Sequence, residues 1–156
     1  MAAPRGPVRA VAIDLDGALG DTRPLWRDWL EDASRRLRLG DLALPDDRAA
    51  AAELLDERIG NWRVLLERFA EDRAPVYLRP DAAVSAALRR LEGAGAALGV
   101  FTDAPTELAR VALAQLGAAR RVVAVEAGVD ALPRVLARLG ADARVVHTRE
   151  ELLNLG

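Results

Sequence analysis

The chain has 156 residues, 51% of them apolar, and a formal net charge of −2 from 24 acids and 22 basic residues. This length supports one good core and a small accessory element but not two full domains, and the interleaved charges leave no basic face suited to nucleic acid. Cysteine is absent, which excludes disulfides and thiolate chemistry; with no membrane-length apolar run and no signal-like start, a cytoplasmic protein without a membrane partner is expected.

Residues 11–14 read as the end of a buried strand, in which Val11, Ala12 and Ile13 lead to an abrupt acid, Asp14. Asp16 follows after one residue, and Gly17 lets the chain turn sharply. Carboxylates at the carboxyl end of a parallel strand stand where open α/β sheets keep their chemistry. One suits attack on an electrophilic centre, and its neighbour suits proton transfer to and from a leaving group. The plainer alternative is a solvated turn carrying two incidental acids. The apolar strand ahead and Leu19, Asp21 and Thr22 behind favour the chemical reading.

Residues 21–78 contain no convincing strand. Leu25, Trp26, Trp29, Leu30, Ala33 and Leu37 make an amphipathic helix, which residues 38–41 (Arg-Leu-Gly-Asp) end. Pro45, Asp46 and Asp47 open a second helix, Gly60 and Asn61 interrupt it, and Trp62, Leu65, Leu66 and Phe69 continue at helical spacing. Five of the six aromatics lie in this segment. A small helical unit needs bulky side chains to bury enough area, so most of them are expected to form its core. Trp26 and Arg23 follow the acid turn directly and are candidates to face a substrate. Were the aromatic faces exposed instead, a homodimer through them is the expected contact.

Beyond residue 78 a phrase repeats: an apolar helix ends in Leu-Gly and a short strand follows. It occurs as Leu116-Gly117 before residues 121–125 and as Leu139-Gly140 before residues 144–146. A looser version around Gly93 and Gly95 precedes residues 97–101. The intervening helices carry Val84, Leu88 and Leu91, then Leu108, Val111, Ala112 and Leu116, then Leu132, Val135, Leu136 and Leu139. Pro80-Asp81 and Pro105-Thr106-Glu107 supply two helix starts. Such alternation predicts right-handed crossovers and a parallel sheet. Placing Asp14 at the switch point gives the order 4-1-2-3. His147, the sole histidine, stands at the tip of the fourth strand. It suits proton shuttling there or a simple hydrogen bond to the main chain.

The run Asp14-Leu-Asp-Gly-Ala-Leu-Gly-Asp-Thr22 resembles the first motif of the haloacid dehalogenase superfamily, in its phosphatase branch, with Ala18 in place of a common Thr. Val100-Phe101-Thr102-Asp103 resembles the second motif. The resemblance implies a three-layer α/β/α core over residues 1–20 and 79–156, trimmed to four strands, with an inserted α-helical cap over 21–78. It implies Asp14 as a phosphorylated nucleophile, Asp16 as general acid/base, and Thr102, Asp103 and Gly17 around the phosphate. It also implies Mg²⁺ on Asp14 and the main-chain oxygen of Asp16.

The rest of the family pattern is degenerate. A lysine expected ahead of Leu139-Gly140 falls near Glu126, and the chain has no lysine at all. Thr148 and Leu152 stand where two acids are expected after the fourth strand, and Glu151 is the one nearby acid placed to deputise. Mg²⁺ is therefore expected to be weakly held or absent. Arg149 emerges from the same tip and is the expected surrogate cation toward Asp14, ahead of Arg121 and Arg134. Two functions compete: weak hydrolysis of a small phosphorylated metabolite through Asp14, or a non-catalytic binding or dimerisation module. Dehalogenation ranks third, because the dehalogenases of the family lack the acid that Asp16 supplies.

Overall fold

The computed structural model describes residues 6–37 and 42–155. The expected close of the first helix at residues 38–41 lies outside them.

Four short strands form one parallel sheet. β1 (Ala10–Asp14) lies between β2 (Ala97–Thr102) and β4 (Arg144–Val146), and β3 (Ala124–Ala127) forms the far edge beyond β2. The spatial order β3-β2-β1-β4 is the expected 4-1-2-3 read from the other edge. β1 is a run of small and branched apolar residues, three of them wholly buried, as a strand covered on both faces requires. Strand alternation then sorts the side chains. Val11, Ile13, Leu98 and Val100 join the larger core, while Ala12, Phe101 and Ala124 join a smaller one.

The smaller core is closed by a single helix, α6 (Ala131–Leu139), through Ala131 and Val135. Gly99 makes that approach possible. A Cβ there would lie 2.7 Å from Leu139 Cδ1 and 2.8 Å from Val135 Cγ2. Gly99→Val should therefore push α6 off the sheet and cost about 1–3 kcal/mol, read as a lower midpoint in chemical unfolding.

The segment between β1 and β2 forms α1 (Arg23–Leu37), α2 (Arg48–Arg58) and α3 (Trp62–Tyr77), which belong to the larger core. On that side of the sheet α4 (Ala82–Gly93) packs against β2, α5 (Thr106–Gln115) against β3, and α7 (Arg149–Leu153) against α4. Trp26, Trp29 and Trp62 form a cluster with ring centroids 5.4 to 6.3 Å apart. All three are buried within the chain, Trp26 included, so it packs rather than facing a substrate. α3 lies along α5, where Ala70, Ala74, Ala109 and Ala112 are buried and allow close approach. Arg63–Glu107 (2.9 Å) and Arg110–Glu67 (3.1 Å) flank that contact. The inserted helices thus share one continuous apolar interior with the sheet.

Two local readings shift. The third strand begins at Ala124 rather than residue 121, because residues 118–121 still turn out of α5. The Val123 N–H already reaches Leu98 O (2.8 Å), but the Val123 side chain is exposed. The stretch after β4, from whose tip Arg149 is expected to turn toward Asp14, is the short helix α7. No helix among the described residues is long and apolar enough to cross a membrane.

Candidate active site

The parallel register brings the carboxyl ends of all four strands to one edge. Asp14 closes the central strand beside Phe101, Thr102 closes β2, and His147 follows directly on β4. Between Asp14 and α1 the chain makes one wide turn, Leu15–Leu19, closed by Gly20 N–H on Leu15 O (3.1 Å). Leu15, Ala18 and Leu19 anchor the turn in the core and leave Asp16 facing the strand tips. Gly17 is its pivot, at φ +115°, and its N–H donates to Gly20 O (2.7 Å) rather than toward an anion. A Cβ on Gly17 would come within 2.5 Å of His147 O. Gly17→Ala should therefore cost about 2–3 kcal/mol and separate the two acids from His147, measurable as a loss of thermal stability.

Asp16 is 8% exposed in its side chain and accepts from four donors. The Thr22 N–H and hydroxyl both reach Oδ1 at 2.7 Å, the Thr102 hydroxyl reaches Oδ2 at 2.9 Å, and Arg48 Nη2 donates to Oδ2 as well. Arg48 is the residue that sequence reasoning missed. It opens α2, is only 3% exposed, and draws the site together. Its Nη2 and Nε lie 2.7 and 3.1 Å from Asp103 Oδ1, its Nη1 donates to Thr22 Oγ1 (2.6 Å), and its backbone N–H reaches Asp103 Oδ2 (3.3 Å). One signal was available: a basic residue in the first turn of a helix opposes the helix dipole and needs acids from elsewhere to hold it.

Asp14 Oδ1 accepts from the Asp16 N–H (3.1 Å), and Oδ2 faces His147 Nδ1 at 3.2 Å. Burial pushes the Asp14 carboxyl above its usual range; the hydrogen bond from His147 opposes this, and the Asp16 charge adds to it. Burial pushes Asp103 upward too, but the hydrogen bonds and charge of Arg48 outweigh it and hold the carboxyl low. The His147 ring stands edge-on to Phe101, at 5.7 Å between centroids. In front of these groups opens a cleft of about 590 Å³, lined by Asp14, Asp16, Arg48, Thr102, Phe101 and Val129 among others.

The surrogate cation is therefore not Arg149. Its Nε lies 2.7 Å from Asp81 Oδ2, away from Asp14. Asp81 already caps α4 through the Ala83 and Val84 N–H groups, and Arg149, with these bonds, pulls its carboxyl down to about 2. The poorer candidates are engaged as well, Arg121 with Glu92 (3.3 Å) and Arg134 with Glu126 (2.5 Å). Thr148, at the expected acidic position, caps α7 by accepting from the Glu151 N–H (3.1 Å), and Leu152 is fully buried in the core.

These donors do not suit Mg²⁺, which takes six oxygens in near-ideal octahedral geometry. Both oxygens of Asp16 and of Asp103 already accept from protein donors, and one oxygen of Asp14 is held by the Asp16 amide. Glu151 Oε2 is turned back onto the His147 N–H at 3.1 Å. Among the described residues no group of three carboxylate, imidazole or thiol side chains could hold a metal ion.

Solved structures share this architecture. CbbY from Rhodobacter sphaeroides, in complex with phosphate, superposes with a TM-score of 0.66 at 16% identity, over 95% of this chain and 84% of that one. A hydrolase of the haloacid dehalogenase-like family from Streptococcus pneumoniae gives a TM-score of 0.54 at 12% identity, over 90% and 75% of the two chains. L-2-haloacid dehalogenase from Xanthobacter autotrophicus gives 0.50 at 19% identity, over 90% and 69%. No protein-family model matches the sequence, and no curated protein matches it significantly. At these identities the likeness is one of fold, and the fold is that of the haloacid dehalogenase-like hydrolases.

Proposed function

We propose that this chain of haloacid dehalogenase-like fold is a phosphohydrolase of small phosphomonoesters, acting through an aspartyl-phosphate on Asp14. The observation that carries the reading is the position of Asp14. It is a partly exposed carboxylate at the tip of the central strand, opening on the cleft, with Asp16 and Thr102 beside it. A non-nucleophilic role gives no reason to hold a carboxyl that burial disfavours at the centre of the sheet edge.

In the first step a carboxylate oxygen of Asp14 attacks phosphorus, the bond from phosphorus to the ester oxygen breaks, and the departing alkoxide takes a proton. In the second step water attacks the phosphorus of the aspartyl-phosphate, gives up a proton, and restores the Asp14 carboxylate with release of phosphate. Asp16 is the group next to Asp14 placed for both proton transfers. Its oxygens are filled by donors from Thr22, Thr102 and Arg48, so it carries a proton only when one of these bonds opens, and the bonds that remain set its orientation. Removing one of them should slow the chemistry without preventing binding. Thr102→Val, which removes one donor to Asp16, should lower kcat by about 10- to 100-fold with a smaller change in KM.

A second reading has its own observation. The guanidinium of Arg48 is saturated by Asp16 and Asp103 and offers no free charge to an incoming phosphate. A binding module without turnover would tolerate that arrangement. Phosphate release from p-nitrophenyl phosphate by the native chain and by Asp14→Asn separates the two. Release that Asn abolishes supports the hydrolase; equal, negligible rates support the binding module.

A further inference from the structure

We propose that this site excludes a divalent metal, with the Arg48 guanidinium as counter-charge to the Asp16–Asp103 pair and the His147 ring occupying Asp14 Oδ2. The inference rests on the phosphohydrolase reading only where activity is the readout. Its basis is the set of oxygens that a hard cation would have to recruit. Asp16 has none free: Thr22 holds Oδ1 twice, and Thr102 and Arg48 share Oδ2. Asp103 has both oxygens on Arg48. Asp14 has one oxygen on the Asp16 N–H and the other against His147. Of the two acids that follow the fourth strand, Glu150 and Glu151, the second is folded onto the backbone of the same histidine.

The guanidinium cannot leave this arrangement by losing its proton, because arginine stays charged in proteins. Nor can it swing away easily. It is fastened at Nε, Nη1 and Nη2, and its backbone is pinned as the first residue of α2. Its planar fork spans two carboxylates that approach the same nitrogen, Nη2, from different strand tips. On the far side, the imidazole of His147 lies with Nδ1 3.2 Å from Asp14 Oδ2. A divalent ion would have to displace both groups.

Removing the guanidinium should invert the preference. Asp16, Asp103, Thr22 and Thr102 would then surround one vacated point with hard oxygen donors, the ligand type that Mg²⁺ and Mn²⁺ select.

The test is titration of Mn²⁺ and Mg²⁺ into the native chain, Arg48→Gln and Arg48→Lys, followed by calorimetry, the Mn²⁺ resonance signal and the shift in Tm. Phosphate release from p-nitrophenyl phosphate is measured with and without chelator. The native chain and Arg48→Lys, which keeps the charge, should show no saturable binding at the site. Arg48→Gln should bind roughly tenfold or more tightly and gain Tm with Mg²⁺. Saturable submillimolar binding to the native chain that Asp14→Asn abolishes would overturn the proposal. So would native hydrolysis that falls with chelator and returns with Mg²⁺, although that result would leave the hydrolase reading standing. Metal-free behaviour with no hydrolysis in any variant would do the reverse. Should Arg48→Gln fail to fold without metal, the native titration and the chelator comparison decide the matter.

Discussion

Asp14→Asn should lower phosphomonoester turnover by about a thousandfold or more while leaving the fold at least as stable as the native chain at neutral pH. The loss of rate follows from removing the group that the proposed mechanism phosphorylates. The gain in stability follows from the same residue's surroundings. Burial, with a contribution from Asp16, raises the Asp14 carboxyl above its unfolded value of 3.8. A group shifted in that direction favours the fold below the unfolded value and loses that contribution as pH rises through the folded value. At pH 7 the ionised carboxyl therefore works against folding, and a neutral amide of the same shape does not. The difference in Tm between Asp14→Asn and native should be largest near neutrality and should vanish below about pH 4. The acidic limb of the native rate profile should likewise lie above that of an ordinary aspartate. A variant that lost stability along with rate would point to a structural role for Asp14.

The second large effect is on stability. Arg48→Met should cost about 3–5 kcal/mol, because it leaves the buried Asp16 carboxylate facing Asp103 without its counter-charge. That is a large share of the total stability of a domain this size. The effect should be coupled, not additive. In an Asp16→Asn background the same Arg48→Met change should cost much less, since the uncompensated charge is then gone. Added salt should do little to the native pair, because a guanidinium 3% exposed is poorly screened. Chemical unfolding of the four proteins of that cycle measures the coupling. Strict additivity would mean that Arg48 acts by packing alone.

Much of this was legible along the chain. The first strand, the acid pair and the sheet order follow from local signals: an apolar run ended by Asp14, helices ended by Gly117 and Gly140, and the handedness of crossovers. Helix ends were read well because their signals lie within a few residues, as with Asp81 and Asp47. The start of β3 was not, because Arg121, Val122 and Val123 have strand-like composition while the exit turn of α5 delays pairing. Arg149 was assigned to Asp14 from its place at a strand tip. The direction of α7 instead carries it to Asp81 at the start of α4, a proximity that no local pattern encodes. Arg48 illustrates the same limit from the other side. Its partners Asp16, Thr22, Thr102 and Asp103 come from separate parts of the chain and meet only after the sheet and the inserted helices have packed. The apolar face of the tryptophan helices was readable; the use of α2 to deliver a charge into the acid pair was not.

The central claim is that Asp14 is the nucleophile, and its most direct measurement is covalent. Native chain mixed with p-nitrophenyl phosphate and quenched in acid within one turnover should carry a single phosphoryl group. Digestion and mass spectrometry should place that group on Asp14, and Asp14→Asn should carry none. Turnover by the native chain with no such adduct, or with the adduct on another residue, would contradict the account.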